Sequence, residues 1–403
     1  MTTRVAPHRV IAPANATQVA ARPQAGTLGA KVAHGVILLL VFVVVFELTC
    51  RVEDWVRFRT PFFTPVTSQS DLMQHDEHGI HGRPGARFQK WVMNALGTRG
   101  PEASFAKPAG TVRIVTVGAS ETFGLSESPG REFPRQLEDS LNARLSASEC
   151  LRATTTRFEV LNAALPGMSL PTIAQDVRNR VGRFGADFIV LYPTPAQYLF
   201  EEPPRPARPD SSARAGELSP TGAFRPRMLN RLRNQAKTML PSFVATWLRR
   251  RDTQTAMRNR PPGWRFETLP PDRLEQYRRD LGVLAETVRA TGATPVFMTH
   301  VNAFMQPGFE DRHLLYAWER FHPRATGPVI VAFDSAARHV TLEVAREANV
   351  IAVDAAAHLV PQSDGIFSDF SHFTDLGAAR VASVLAPALY GATAARSGCE
   401  AES

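Results

Sequence analysis

The sequence predicts a three-layer α/β fold, a five-stranded parallel sheet covered by helices on both faces, preceded by one transmembrane helix. Three observations lead there. From residue 111 onward, short runs rich in Val, Ile, Leu and Phe alternate with longer segments whose apolar residues recur every three or four positions. The short runs are mostly continuous in their hydrophobicity, as suits strands buried on both sides. Near the start of the chain, residues 35–46 form an unbroken apolar stretch, GVILLLVFVVVF.

The elements follow in order. Residues 1–30 form a basic tail, and residues 1–46 as a whole carry four cations and no acid. With its flanks, the apolar stretch at 31–50 approaches the roughly 20 residues needed to cross a bilayer. No small-residue cleavage site follows it, and Glu47-Leu-Thr-Cys50 is a poor lipoprotein signal, so an uncleaved anchor is expected rather than a removed secretory peptide. Beyond it, Arg51, Arg57 and Arg59 are mixed with Glu47, Glu53 and Asp54. The positive-inside rule therefore puts the N-terminus in the cytoplasm and everything after about residue 51 outside, taking the membrane to be a bacterial inner membrane. A lead-in occupies 51–110. The α/β domain is expected over 111–392, with a short tail at 393–403. Its strands are read at 112–117, 158–161, 187–192, 294–299 and 350–353, and its helices at 133–145, 173–184, 272–291, 329–348 and 374–389.

The domain is interrupted at 203–265 by a Pro- and Arg-rich insertion with fourteen Lys or Arg against three acids. That block and the basic tail account for more than the net charge of +8, so the body of the protein is mildly acidic. Nucleic acid is accordingly not an expected partner. Within the insertion, 228–248 has apolar residues at helical spacing opposite a cationic face. Such a segment suits an anionic membrane surface or a polyanionic glycan, or packs as a lid on the body. Pro241 would kink it. Of the three cysteines, Cys150 and Cys399 could pair; no thiolate metal site is suggested.

Ligands of parallel sheets gather at the carboxyl ends of the strands. The first strand ends in Gly118-Ala-Ser-Glu-Thr-Phe-Gly124, a turn able to expose the Ser120 hydroxyl beside main-chain N–H groups. The second ends in Asn162-Ala-Ala-Leu-Pro-Gly167. Before the last helix lies Asp369-Phe-Ser-His372, whose spacing lets a single turn aim both side chains at one place. A serine, a base and an orienting acid are the elements of nucleophilic catalysis.

In these blocks and their order the chain resembles the SGNH/GDSL hydrolase superfamily over roughly residues 90–390, including Asn94-Ala-Leu-Gly-Thr-Arg-Gly-Pro-Glu102, which is similar to the lead-in of membrane-anchored members. The resemblance implies a flavodoxin-like SGNH hydrolase fold and a serine esterase acting on an acylated envelope glycan or lipid. Ser120 would be the nucleophile, His372 the base and Asp369 its orienting partner, with the N–H groups of Ser120 and Gly167 as an oxyanion hole. No cofactor or metal is implied. Two departures stand out. Ala119 replaces a common Asp. The third block, Tyr192-Pro-Thr-Pro-Ala-Gln-Tyr198, lacks the Asn that serves as a further oxyanion donor, a loss worth about 2.7 to 4 kcal/mol. Thr194 or Gln197 lies at the same strand end and could substitute.

Other readings stay open. The same serine could serve an O-acyltransferase. A degenerate glycan-binding module would need no turnover, and a flavodoxin-like phosphate cradle at 118–122 would need no Asp–His pair. His300 and Asn302 follow the fourth strand as candidate substrate contacts, and Asp354 follows the fifth as a turn residue. His75, His78 and His81 are read as solvated polar surface rather than metal ligands.

Overall fold

A computed structural model describes residues 28–64, 66, 68–200, 204–206, 227–229, 231–232, 247, 251, 254–255, 258, 260–305, 308–359 and 365–399. Most of the insertion, including nearly all of the amphipathic segment at 228–248, and the basic N-terminal tail lie outside them. The chain divides into a unit ending at Thr49 and a unit starting at Cys50.

The first unit contributes most of helix α1, Leu28–Phe58, which has 31 residues. At 1.5 Å per residue it extends for about 45 Å, enough to cross a hydrocarbon core of about 30 Å. The most apolar window within Gly29–Phe58 has a mean hydropathy of 2.5, and none of it is buried. The helix outlasts the anchor read at 31–50 by two turns, and these polar turns belong to the second unit. There Asp54 receives Arg227 at 3.0 Å and Arg231 at 2.6 Å. Two cations of the insertion are thus paired with an acid rather than free for an outside polyanion.

The second unit is built on five parallel strands, β1 (Thr111–Gly118), β2 (Arg157–Asn162), β3 (Phe188–Tyr192), β4 (Thr294–Met298) and β5 (Ile351–Val353). They lie in the order β2-β1-β3-β4-β5, the doubly wound flavodoxin-like arrangement. The strand period of two explains the layers. In β3, Phe188, Val190 and Tyr192 enter one apolar core while Ile189 and Leu191 enter the other. Water reaches neither face, so all five residues are buried. One core is covered by α3 (Phe133–Ala147) and the final helix, the other by α4 (Leu170–Asn179), α5 (Pro271–Ala290) and α7 (Gly327–Glu347). The short α2 (Ser120–Phe123) follows β1, α6 (Arg312–Phe321) precedes α7, and α8 (Asp375–Arg396) closes the fold against α3.

Three sequence readings shift. The helix expected over 173–184 begins at Leu170 and gives way after Asn179 to a 3-10 turn, Val181–Phe184. A Cβ at Gly182 would meet the Val177 carbonyl at 3.0 Å, and the turn ends at Gly185 with φ +64. The last helix continues past 389 to Arg396 despite Pro387 within it. The histidine cluster of the lead-in is not uniformly solvated: His81 is buried, its Nε2 2.8 Å from Asp76 Oδ2 across the hairpin Met73–Asp76/Gly79–Gly82. Among the described residues no group of three or more His, Cys, Asp or Glu could hold a metal ion. Cys150 and Cys399 form a disulfide, while Cys50 is buried.

Candidate active site

In this strand order the chain reverses direction across the sheet between β1 and β3, and the crevice outside their carboxyl ends is where ligands of such sheets bind. Ser120 stands at that point, at the start of α2. The turn depends on Gly118: a Cβ there would lie 2.3 Å from Thr122 Oγ1 and 2.7 Å from the Tyr192 carbonyl, so no larger residue lets α2 fold back against β3. From outside, the buried Arg99 of the lead-in donates to the Phe123 carbonyl and, at 2.5 Å, to the Gly124 carbonyl, and pairs with Glu132 at 3.3 Å. Asn162, the last residue of β2, donates to the Thr122 carbonyl at 2.9 Å. The serine therefore sits on a helical turn whose Thr122, Phe123 and Gly124 carbonyls are held.

Asp369 and His372 enter from a loop before α8. Asp369 Oδ1 accepts the main-chain N–H groups of Ser371 and His372 at 3.0 and 2.9 Å, an Asx-type turn that fixes the carboxylate. Its Oδ2 then accepts His372 Nδ1–H at 2.7 Å. The opposite ring nitrogen, Nε2, is buried and unpartnered. Burial alone would lower the pKa of His372, but the bond to Asp369 and the charges of Glu121, Asp369 and Glu127 raise it above its ordinary value.

Ser120, Gly167, Thr194, Gln197, His300 and His372 all line one cavity of about 280 Å³. A larger cleft of about 380 Å³, lined by Phe304, Arg338 and His339 among others, contains none of them. Neither the Ser120 nor the Gly167 N–H donates to a main-chain carbonyl among the described residues. Gly167 has φ +84 with open space around its missing Cβ, so conformation rather than crowding calls for glycine there.

The Ser120 hydroxyl donates to Glu121 Oε2 at 3.2 Å and not to His372. Glu121 is a residue that sequence reasoning passed over. It is 2% exposed, and it accepts Thr194 Oγ1 at 3.2 Å and Ser371 Oγ at 3.0 Å as well. His300 Nε2 lies 3.8 Å from its Oε1, and His300 Nδ1 lies 2.8 Å from Asp334 Oδ1. Burial pushes the Glu121 pKa up, yet the neighbouring His300 and the charge of His372 bring it down to about 2. Burial pushes His300 down, yet Asp334 and Glu121 raise it to about 10. Glu121, His300 and Asp334 thus form a buried acid–imidazole–acid row in which each acid faces a ring nitrogen.

The expected substitutes for the missing Asn are occupied. Thr194 gives its proton to Glu121, and Gln197 Nε2 donates to the Met168 carbonyl at 2.9 Å. Asn302 does not reach the cavity. It is fully buried, donates to Asp334 Oδ2 at 2.6 Å and accepts Phe304 N–H at 2.9 Å, so its role is to satisfy the carboxylate behind His300. Asp354 likewise binds Arg338 and Thr299 away from the site.

No family model matches the sequence, and no curated protein matches it. Solved structures to which the chain is similar include a lipase/acylhydrolase from Enterococcus faecalis, at 13% identity and TM-score 0.38 over 70% of this chain and 96% of that one. Another is a variant of an acetyl-xylooligosaccharide esterase from Geobacillus Stearmophilus, at 12% identity and TM-score 0.38 over 69% and 93%. A third is an acetyl xylan esterase, AlAXEase, at 9% identity and TM-score 0.37 over 68% and 98%.

Proposed function

We propose that the protein is a membrane-anchored serine ester hydrolase of the SGNH type, acting outside the cytoplasm on an acylated envelope glycan or lipid. The observation that carries this is the His372 ring. Its Nδ1 is fixed on Asp369, its Nε2 is buried without a partner, and the residue lines the same cavity as Ser120 and Gly167. A base so oriented has one remaining task, to accept a proton in the cavity.

On this reading, ester binding turns the Ser120 hydroxyl from Glu121 toward His372 Nε2. Oγ attacks the carbonyl carbon as its proton passes to Nε2, and the negative oxygen meets the Ser120 and Gly167 N–H groups. The bond to the alcohol oxygen breaks, and the alcohol leaves with the proton from Nε2. Water then repeats the sequence on the acyl-enzyme, releasing the carboxylic acid and returning the proton to Ser120. The disulfide supports the extracytoplasmic placement, because such bonds persist in oxidising compartments.

One observation favours a competing reading, a binding module that keeps the fold without turnover: Ser120 is hydrogen-bonded to Glu121 instead of His372. Hydrolysis of p-nitrophenyl acetate by the full chain, beside Ser120→Ala, separates the two. Loss of activity in the variant is expected; equal rates would leave the binding module.

A further inference from the structure

The cavity is lined by two unlike sets of residues. One set is Ser120, Gly167 and His372. The other is a wall of rings that begins beside His372, 6.2 Å from Phe370 between ring centroids: Trp318 stacks on Phe370 with centroids 5.4 Å apart, Phe321 tilts against Phe370 at 5.7 Å, and Phe200 stacks on His322 at 4.7 Å. His322 brings no charge at neutral pH, since burial pushes its pKa down to about 4. Phe200 and Phe321 remain 41% and 57% exposed, although they border a concavity. Large apolar side chains left open on the rim of a cleft mark a surface that a ligand covers.

Size narrows the ligand further. An apolar cavity of about 150 Å³ accepts benzene, a six-carbon molecule. At about 280 Å³ the present cavity has nearly twice that room. An acetyl group would leave most of it unfilled, and unfilled apolar volume forfeits contacts.

We propose that the ring wall is an acyl pocket and that the substrate carries an apolar acyl chain of roughly six to ten carbons, not an acetyl group. The inference rests on the ester-hydrolase reading. It assigns the wall to the acyl side because that part of the substrate stays bonded to Ser120 through both half-reactions, so contacts within the same cavity act in both transition states.

The full chain in lipid nanodiscs, assayed with p-nitrophenyl esters from acetate to dodecanoate, tests this. kcat/KM should climb by up to about fourfold per methylene, the factor equivalent to about 0.8 kcal/mol of burial, and level off between six and ten carbons. Phe321 is exposed, so Phe321→Ala carries little folding cost and should lower the octanoate-to-acetate ratio severalfold. A series that is flat or peaks at acetate, with hydrolysis still dependent on Ser120, overturns the acyl pocket and leaves the hydrolase. A series that climbs only with the alcohol of alkyl acetates overturns it as well, giving the wall to the leaving group. Calorimetry with octanamide and acetamide reads the pocket without turnover. Octanamide should bind at least about a hundredfold tighter, and more weakly to Phe321→Ala. Equal affinities would overturn the proposal even in a chain that hydrolyses no ester.

Discussion

Glu121 is one position past Ser120, buried, and lines the same cavity as His372, a combination that links its ionisation to that of His372. Its negative charge is one of the groups that hold the imidazole proton. His372 accepts a proton only when neutral, so kcat/KM for an ester should rise with pH through a midpoint above the ordinary histidine value of about 6.5. In Glu121→Gln one stabilising charge is gone and the proton leaves sooner, so the midpoint should move to lower pH. A midpoint that stays put would mean that the two groups do not communicate. Asp369→Asn keeps the shape of the turn but favours the wrong tautomer, and kcat should fall by about 10⁴; a change under tenfold would remove Asp369 from the mechanism. The positions of Ser120 just after β1 and of Asp369 and His372 just before α8 were legible in the sequence because each borders a segment whose periodicity is plain. Glu121 was not, because its partners Thr194, His300 and Ser371 come from three separate places in the chain, and no local pattern links them.

Among the elements, α2 shows why the lead-in matters. With only four residues it cannot hold itself by internal hydrogen bonds, and Arg99 supplies the partners for its last carbonyls. Arg99→Ala would strand Glu132 as well as those carbonyls. A loss of about 3 to 5 kcal/mol in urea unfolding is expected, together with reduced Ser120-dependent hydrolysis; unchanged stability would show that α2 stands without the strap. The strands were legible because parallel strands between two helical layers read as nearly continuous apolar runs. Helix ends were less so, since the break after Asn179 depends on what lies around Gly182 in space. Helix α6, which carries Trp318 and Phe321 to the cavity, was missed altogether. Its start signal was present, because Asp311 accepts the N–H groups of His313 and Leu314 at 2.8 and 2.9 Å as an N-cap. Ten residues after a Pro- and Gly-containing stretch offer few turns in which to recognise a period.

For the molecule as a whole, the Cys150–Cys399 bond ties the end of the chain back to the region after α3 across 249 residues. Closing so long a loop restricts the unfolded chain, so Cys399→Ser should lower stability by up to about 5 kcal/mol. Thermal unfolding with and without reductant checks this, and a melt indifferent to reduction would show that the bond constrains little. The long apolar helix was legible from twelve unbroken apolar residues, whereas the ring wall of the cavity was not, because it is assembled from the end of β3's loop, α6 and the loop before α8. The account as a whole depends on Ser120 being a nucleophile activated by His372. Incubating the intact chain with a fluorophosphonate and sequencing its peptides by mass spectrometry tests that directly. The phosphonyl group should appear on Ser120 alone, and labelling should fall sharply in His372→Ala. An unlabelled Ser120, or labelling that ignores His372, would contradict it.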